Sequence, residues 1–230
     1  YGLDIGLWEN NATEFGQNYG FGKQPLGDPK HPASSQVSFH SGYFHESPLM
    51  YASSGALRRT FPEYRMHLWQ TLARHAMLSG HSYWGWRFAG WAMHYAQDLT
   101  QPYHASVLPS RSVAGMWWGD VMALTGLPQA KDEAYAQVSG RHAVLESFHQ
   151  QSLLSALHKG ELNHPHLLAF ANLSKDQGRL VLTEFSLRDD VSKSAYAAAD
   201  ELDALVIKTF PMMGNEAMNG TMPLIMAMHP

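Results

Sequence analysis

Histidine and carboxylate residues recur at helical spacing in two parts of this 230-residue sequence. In the stretch "HYAQDLTQPYH", Asp98 follows His94 by four residues, and His104 closes the stretch. The stretch "RHAVLESF" repeats the spacing with His142 and Glu146. Side chains four residues apart share one face of a helix, so each pair could bind a single ion or two adjacent ions. Imidazole and carboxylate groups are ligands for zinc, and the pattern therefore indicates a metal site.

A purely structural role has to be weighed against metal binding. A His hydrogen-bonded to an Asp one turn away is common in helices, and a pair such as His142 and Glu146 more often forms a solvated helix face. Asp98, however, belongs to a helix dense in Trp, where a buried ionised carboxylate would need a compensating cation. The two pairs and His104 together supply enough ligands for a cluster of zinc ions held by helices.

The composition narrows the class of protein. Hydrophobic residues make up 45% of the chain and charged residues 16%, which is typical of a globular fold. The net charge of −4 and the scattered Lys and Arg residues disfavour binding of duplex nucleic acid. No apolar run is long enough to predict a transmembrane segment. Because the chain has 14 His and no Cys, any metal must be held by His and carboxylate residues.

The elements that must position these residues are predicted to be helices. Helical periodicity of apolar residues extends over six segments: 63–78, 83–99, 116–125, 131–158, 163–187 and 191–209. Gly80 ends the first of these, and Pro102 ends the second. Residues 1–62 are predicted to be mostly loop with short helical pieces around 6–14 and 48–58, and 210–230 to be coil. No strand is predicted, so we expect an all-α fold, a single multi-helix bundle domain over 1–230.

The two stretches resemble the metal-binding pattern of the bacterial zinc-dependent phospholipases C and their relatives, the fungal single-strand nucleases. That family has a helical His, an Asp four residues later, a Pro and a second His at the spacing of "HYAQDLTQPYH". It also has a later helical His with a carboxylate four residues on and then an aromatic residue, here Phe148. The last carboxylate is Glu in the phospholipases and usually Asp in the nucleases, so Glu146 favours the phospholipase branch. The resemblance is specific over about 78–148.

The resemblance implies how the ligands are shared. His104, His142 and Glu146 would hold one zinc ion. His94 and Asp98 would join an upstream His and an upstream Asp around another, and Asp98 would also bridge toward a third. The family therefore implies two or three zinc ions.

The upstream ligands are chosen among alternatives. His40 in "QVSFHSGYFHESP" is favoured, because the family His lies in a similar aromatic stretch ahead of the helix that precedes the core motif; His45 is its competitor. Asp4 in "GLDIGLWEN" is favoured over Asp28, whose position before Pro29 is typical of a turn. Asp4 is also the candidate catalytic base.

The implied activity is hydrolysis of phosphatidylcholine-like phospholipids at a membrane surface by a zinc-activated water, in a secreted or periplasmic protein. The alternative within the same superfamily is a single-strand-specific zinc nuclease. A further alternative is a helical module without catalytic activity, in which the His and carboxylate pairs are structural. The sequence specifies neither the headgroup preference nor the oligomeric state.

The chain departs from the family pattern in two places. The family's mature N-terminal residue, typically Trp, helps to bind the third zinc with a nearby His, whereas this chain begins with Tyr1 and has no His before His31. Either an N-terminal portion is missing from this chain or the third site is built differently. The segment between His104 and His142 is also longer than in typical phospholipases. Its "GMWWGD" is either a lipid-facing aromatic patch or part of the core.

Overall fold

The computed structural model describes residues 37–110, 129–174, 183 and 185–211. Within these ranges the chain forms helices and turns and no strand, which confirms the predicted all-α class. The described residues form two compact units. Unit 1 contains those up to Ser106 together with 185–197, and unit 2 contains those from Val107 to Thr183 and from Ala198 onward. A single domain over 1–230, of the zinc phospholipase C type, stays a prediction.

Nine α-helical segments lie in the described ranges, accompanied by a 3₁₀ turn over Gly55–Arg58 and a π-helix over Leu187–Ser192. The α-helices are α1 (Val37–His40), α2 (Pro48–Ser53), α3 (Pro62–Leu78), α4 (Ser82–Asp98), α5 (Pro102–Ala105), α6 (Gln129–Lys159), α7 (Pro165–Ala171), α8 (Lys193–Ala197) and α9 (Ala199–Thr209). None of them has the length and hydrophobicity that a bilayer-spanning helix requires.

The turn between α3 and α4 follows from Gly80. This residue has a φ of +78°, which suits a residue without a side chain. Its N–H donates to the Met77 carbonyl over 3.1 Å, and the His81 N–H donates to the Ala76 carbonyl over 2.8 Å. These two bonds satisfy carbonyl groups that the end of α3 would otherwise leave unpaired, and they turn the chain back along α3.

Helices α3 and α4 pack closely in unit 1 because small residues line their contact. The buried residues there include Ala73 and Ala76 on α3 and Gly85 and Ala92 on α4. A Cβ atom added at Gly85 would lie 2.6 Å from the Met77 side chain, so this flexible and partly exposed side chain would have to move aside. The two helices therefore pack against each other through small residues, and the hairpin sets the direction of α4.

The predicted helices over 63–78, 83–99 and 131–158 are confirmed to within two residues as α3, α4 and α6. The helical piece predicted around 48–58 is found as α2 and the 3₁₀ turn. After the end of α4 the chain forms the one-turn helix α5, because Pro102 fits the first position of a helix.

Two predicted helices differ from the structure. The helix predicted over 163–187 ends as α7 at Ala171, because the Asn172 side chain accepts the Ser174 N–H over 3.0 Å and stabilises a turn instead. The helix predicted over 191–209 is interrupted at Ala198, where unit 1 gives way to unit 2. The helices predicted over 6–14 and 116–125, the "GMWWGD" segment and the coil from 212 onward lie outside the described residues.

Candidate metal centre

Three ligand-type side chains from distant parts of the sequence meet in unit 1. His40 is the last residue of α1, whereas His94 and Asp98 lie one turn apart at the end of α4. His40 Nδ1 lies 2.7 Å from Asp98 Oδ2, and His94 Nε2 lies 3.2 Å from His40 Nδ1 and 3.4 Å from Asp98 Oδ2. We call these three residues the His40 group. Their ligand atoms are close enough together to hold one metal ion.

The distances within the His40 group fit a small tetrahedral ion. Zinc bonds of roughly 2.0–2.1 Å at tetrahedral angles place neighbouring ligand atoms about 3.3 Å apart. The separations of His94 Nε2 from its two partners, 3.2 and 3.4 Å, match this value. The 2.7 Å contact between His40 and Asp98 is a hydrogen-bond length, and it would lengthen by about half an ångström around zinc.

The protonation of the His40 group also favours a cation. His40 Nδ1 faces both the Asp98 carboxylate and His94 Nε2, and an imidazole nitrogen carries at most one proton with which to donate. The carboxylate is largely enclosed, since the Asp98 side chain is 13% exposed and that of His40 is 12% exposed. Burying such a charge is costly unless a positive charge compensates it. A metal ion would satisfy all three donor atoms at once.

The short helix α1 reaches α4 because the start of α3 holds it. A helix of four residues is not stable by itself. The Phe61 N–H, next to the start of α3, donates to the Ser38 carbonyl over 2.6 Å. The Arg65 guanidinium lies 4.3 Å from the centre of the Phe39 ring, a cation–π contact. These contacts fix the orientation of α1, and with it the position of His40.

The aromatic ring of Tyr95 lies against both imidazoles. Its centroid is 5.2 Å from that of His40 and 5.2 Å from that of His94. Tyr95 is fully buried, so it restricts water on one side of the group and limits rotation of the two rings. The His94 side chain remains 33% exposed and is the most accessible of the three. Solvent or a small ligand can therefore approach from the side of His94.

The backbone that follows His40 is tied to two other segments of unit 1. The Gly42 N–H donates to the His104 carbonyl over 2.8 Å, and the Gly42 carbonyl accepts the Ser192 hydroxyl over 2.9 Å. Ser192 is fully buried at the end of the π-helix. Gly42 thus connects the chain carrying His40 to the turn that carries His104.

The connection at Gly42 depends on the absence of a side chain. A Cβ atom at this position would lie 2.5 Å from Leu99 Cδ2 and 2.6 Å from Phe44 Cε2. Leu99 follows Asp98 directly and is fully buried, so it cannot move aside easily. Gly42 was not identified from the sequence, where its only signal is a glycine two residues after His40 and directly before Tyr43.

His104 faces the other oxygen of the Asp98 carboxylate from the one that His40 and His94 face. Its Nδ1 is 3.7 Å from Asp98 Oδ1, whereas His40 and His94 face Oδ2. Helix α5, which carries His104, begins at Pro102. The two oxygens of Asp98 therefore face different imidazoles, as a carboxylate bridging two ions would require. That Asp98 bridges two zinc ions stays a prediction.

The alternative ligand His45 lies elsewhere in unit 1. Its Nε2 is 2.8 Å from the Arg188 carbonyl, to which the ring N–H can donate, and its ring packs 6.0 Å from that of Tyr196. The structure therefore brings His40, and not His45, to Asp98. Asp4 and Asp28 lie outside the described residues, so the choice between them stays open.

The second predicted pair lies on α6 in unit 2. His142 Nε2 is 2.8 Å from Glu146 Oε1, and the two side chains are 26% and 52% exposed. The pair therefore has its donor atoms on one helix face, as the spacing indicated. The predicted sharing of one ion with His104 joins residues of different units and stays a prediction.

A buried ion pair next to His142 was not identified from the sequence. Arg141 Nη1 lies 2.9 and 3.2 Å from the two oxygens of Asp203, whose side chain is fully buried. This contact joins α6 to α9 within unit 2, so it fixes the helix face that carries His142 and Glu146. An Arg and an Asp 62 residues apart give no local pattern, and only the tertiary contact reveals the pair.

The pKa of His149, which lies one turn beyond Glu146, is lowered from its ordinary value. Partial burial lowers the pKa of His149, and the neighbouring His166 ring, 5.2 Å away between centroids, lowers it further. The Glu146 carboxylate acts in the opposite direction and raises the pKa of His149. The net effect is a lowered pKa, which favours the neutral form of His149.

Comparison with known proteins does not identify a family for this chain. No family model matches this sequence, and neither does any curated protein or solved structure. The chemistry of the centre therefore has to be inferred from its own donor atoms.

Proposed function

We propose that this protein is a zinc-dependent phosphodiester hydrolase of the phospholipase C type, acting on phosphatidylcholine-like phospholipids. The observation that supports it best is the His40 group, in which α1 supplies one imidazole to a helical His and Asp pair more than 50 residues away. Local helix chemistry accounts for the contact between His94 and Asp98, but not for the arrival of His40. The resemblance of "HYAQDLTQPYH" to the phospholipase pattern points to the same residues.

The donor set suits the proposed metal. His40 and His94 offer imidazole nitrogens and Asp98 offers one carboxylate oxygen, a combination of three protein ligands that zinc enzymes use while leaving a fourth position open. When bound, zinc supplies polarisation of a phosphoryl oxygen and activation of water at neutral pH. The exposed edge of His94 gives the substrate phosphate a route of approach.

The remaining residues would hold these ligands in place. Asp98 keeps its charge directed at both His40 and His104, and Tyr95 keeps water away from the enclosed side of the two rings. Because the ligand geometry is fixed by Gly42 and by the packing of α1 on α3, little reorganisation would accompany metal binding. By resemblance, His104, His142 and Glu146 would hold a second ion, and Asp4 would serve as a ligand and base.

Elemental analysis of the purified full-length chain tests the proposal. We expect at least one equivalent of zinc per chain in the wild type and a loss of one equivalent in Asp98→Asn, since an amide cannot supply the negative charge. The exposed Asp190, on the π-helix, provides the matched control, and Asp190→Asn should retain the wild-type zinc content. If Asp98→Asn kept the wild-type zinc content, Asp98 would not be a zinc ligand. That result would favour the alternative in which the His and carboxylate pairs are structural.

A parallel assay on two substrates separates the two branches of the superfamily. We expect release of the phosphorylated headgroup from phosphatidylcholine and no cleavage of single-stranded DNA. Cleavage of the DNA alone would move the protein to the nuclease branch with the same metal ligands. Absence of both activities in zinc-loaded protein would contradict the enzymatic proposal.

A further inference from the structure

Helix α4 carries an exposed surface of large apolar side chains outside the metal centre. Together with the end of α3, the surface consists of Leu78, Tyr83, Trp84, Trp86 and Met93, which we call the aromatic surface. All five are exposed, with Tyr83 at 65% and Trp86 at 71%. Because Tyr83, Trp86 and Met93 are spaced three and seven residues apart, they follow one stripe along α4.

The first three turns of α4 bury small residues and expose several bulky apolar ones. In its first three turns the buried residues are the small Gly85 and Ala92, whereas the bulky Trp84 and Trp86 face outward. A helix that only served the core would bury its largest apolar side chains. An exposed apolar surface of this kind marks a site of interaction with another surface.

The charge around the aromatic surface is positive. Residues 64–97 contain three Arg and no Lys, Asp or Glu, although the whole chain has a net charge of −4. Arg74 and Arg87 are exposed on α3 and α4. The Arg87 guanidinium lies 5.9 Å from the centre of the Tyr83 ring and 5.5 Å from that of Trp91. The two helices that carry the surface therefore combine apolar rings with cations, and their acidic residues lie only at their ends, at Glu63 and Asp98.

We propose that the aromatic surface docks the protein on an anionic phospholipid bilayer. Trp and Tyr are the residues that settle at the headgroup level of a membrane, and Arg is attracted to anionic lipids. The aliphatic Leu78 and Met93 favour a bilayer over single-stranded nucleic acid, because bases stack on aromatic rings and gain little from aliphatic chains.

This inference rests on the proposed function, because docking would serve to bring the metal centre to its phospholipid substrate. Helix α4 carries Tyr83, Trp84 and Trp86 in its first two turns and His94 and Asp98 in its last two. His94 lies eight residues after Trp86, about 12 Å along the helix axis. A surface docked through Trp86 would therefore hold the His40 group within reach of lipid headgroups.

Vesicle flotation of the full-length chain tests the docking surface. The vesicles contain either equal parts of phosphatidylglycerol and phosphatidylcholine or phosphatidylcholine alone. The wild type and Asp98→Asn are compared, so that binding is measured with and without turnover of the lipid. We expect both proteins to bind the vesicles that contain phosphatidylglycerol, and to bind phosphatidylcholine vesicles more weakly.

Matched variants locate the surface. Replacing both Tyr83 and Trp86 by Ser should weaken binding about tenfold or more, because burial of such side chains is lost. Phe170, exposed to the same 71% as Trp86 but on α7 in unit 2, provides the control, and Phe170→Ser should bind as the wild type does. Arg87→Gln should weaken binding about fivefold, whereas Arg59→Gln, at an exposed position outside the hairpin, should leave it unchanged.

Three results would overturn the inference. The Tyr83 and Trp86 double variant could bind vesicles as tightly as the wild type. The wild type could bind oligothymidylate and no vesicles, with the double variant losing that binding, which would assign the surface to nucleic acid. Analytical ultracentrifugation could instead show a wild-type dimer that the double variant dissociates, without vesicle binding, which would assign the surface to self-association.

The outcomes also separate the docking surface from the proposed function. Vesicle binding that depends on Trp86 but brings no zinc-dependent hydrolysis would contradict the enzymatic proposal and support the surface. Hydrolysis of short-chain monomeric phosphatidylcholine without any vesicle binding would support the enzymatic proposal and contradict the docking surface.

Discussion

His40 Nδ1 lies 2.7 Å from Asp98 Oδ2, although 58 residues separate them in the sequence. The contact joins a helix of four residues to the end of a helix of seventeen. It also distinguishes His40 from His45, whose ring donates to the Arg188 carbonyl. The placement of one imidazole next to a largely buried carboxylate is what makes the end of α4 a candidate metal centre.

Replacing His40 should remove a zinc ligand, whereas replacing His45 should not. We expect His40→Ala to lose one equivalent of zinc relative to the wild type, because only two donors of the His40 group remain. His45→Ala serves as the control and should keep the wild-type zinc content, which is measured by elemental analysis. Loss of zinc from His45→Ala with retention in His40→Ala would reverse the assignment.

Adding a methyl group at Gly42 should destabilise unit 1. The new Cβ would overlap Leu99 and Phe44, and such overpacking typically costs about 1–3 kcal/mol in the free energy of unfolding. Gly42→Ala should also weaken zinc binding, since the chain carrying His40 would shift. Urea unfolding measures the first effect, and Gly55→Ala is the control because nothing lies within 4 Å of its added Cβ. Equal stability of the two variants would contradict the packing argument.

Removing the charge of Asp203 should destabilise unit 2 without changing the His40 group. In Asp203→Asn the buried Arg141 guanidinium would lose its ionic partner, and breaking a buried ion pair costs about 3–5 kcal/mol. Thermal unfolding provides the measurement. Glu201→Gln, at an exposed position in the first turn of α9, should unfold as the wild type does. A melting temperature of Asp203→Asn equal to that of Glu201→Gln would show that the pair contributes little.

The sequence motif predicts that His104, His142 and Glu146 bind one ion together. If they do, His104→Ala and His142→Ala should each lose a single equivalent of zinc, and the double variant should lose no more than either one. The reason is that a tetrahedral ion held by three protein ligands is lost when any one of them is removed. Loss of two equivalents in the double variant would place the two imidazoles on different ions.

The helices that lead to the site were predictable because local signals define them. Gly80 ends α3 through its positive φ, and Pro102 prevents α4 from continuing into α5. Between these residues the apolar periodicity is strong, so the ends of α3 and α4 were predicted to within a residue. The pairing of His94 with Asp98 follows from the same helix geometry.

The rest of the site depends on contacts between distant residues, which periodicity does not reveal. The need for a glycine at position 42 follows from the packing of Leu99 against it, a contact between residues far apart in the sequence. Arg141 and Asp203 are on separate helices, and neither is distinguishable from a surface charge in the sequence. The helix predicted over 163–187 failed because the turn at Asn172, a side chain to backbone contact, outweighed an apolar pattern.

The most direct test of zinc-dependent hydrolysis is the cleavage of phosphatidylcholine by the 230-residue chain before chelation, after chelation, and after zinc is returned. We expect release of the phosphorylated headgroup to be lost on chelation, restored by stoichiometric zinc, and absent from Asp98→Asn throughout, while Asp190→Asn behaves as the wild type. Hydrolysis that persists in the chelated protein, or that Asp98→Asn carries out at the wild-type rate, would contradict a zinc-dependent reaction at the His40 group.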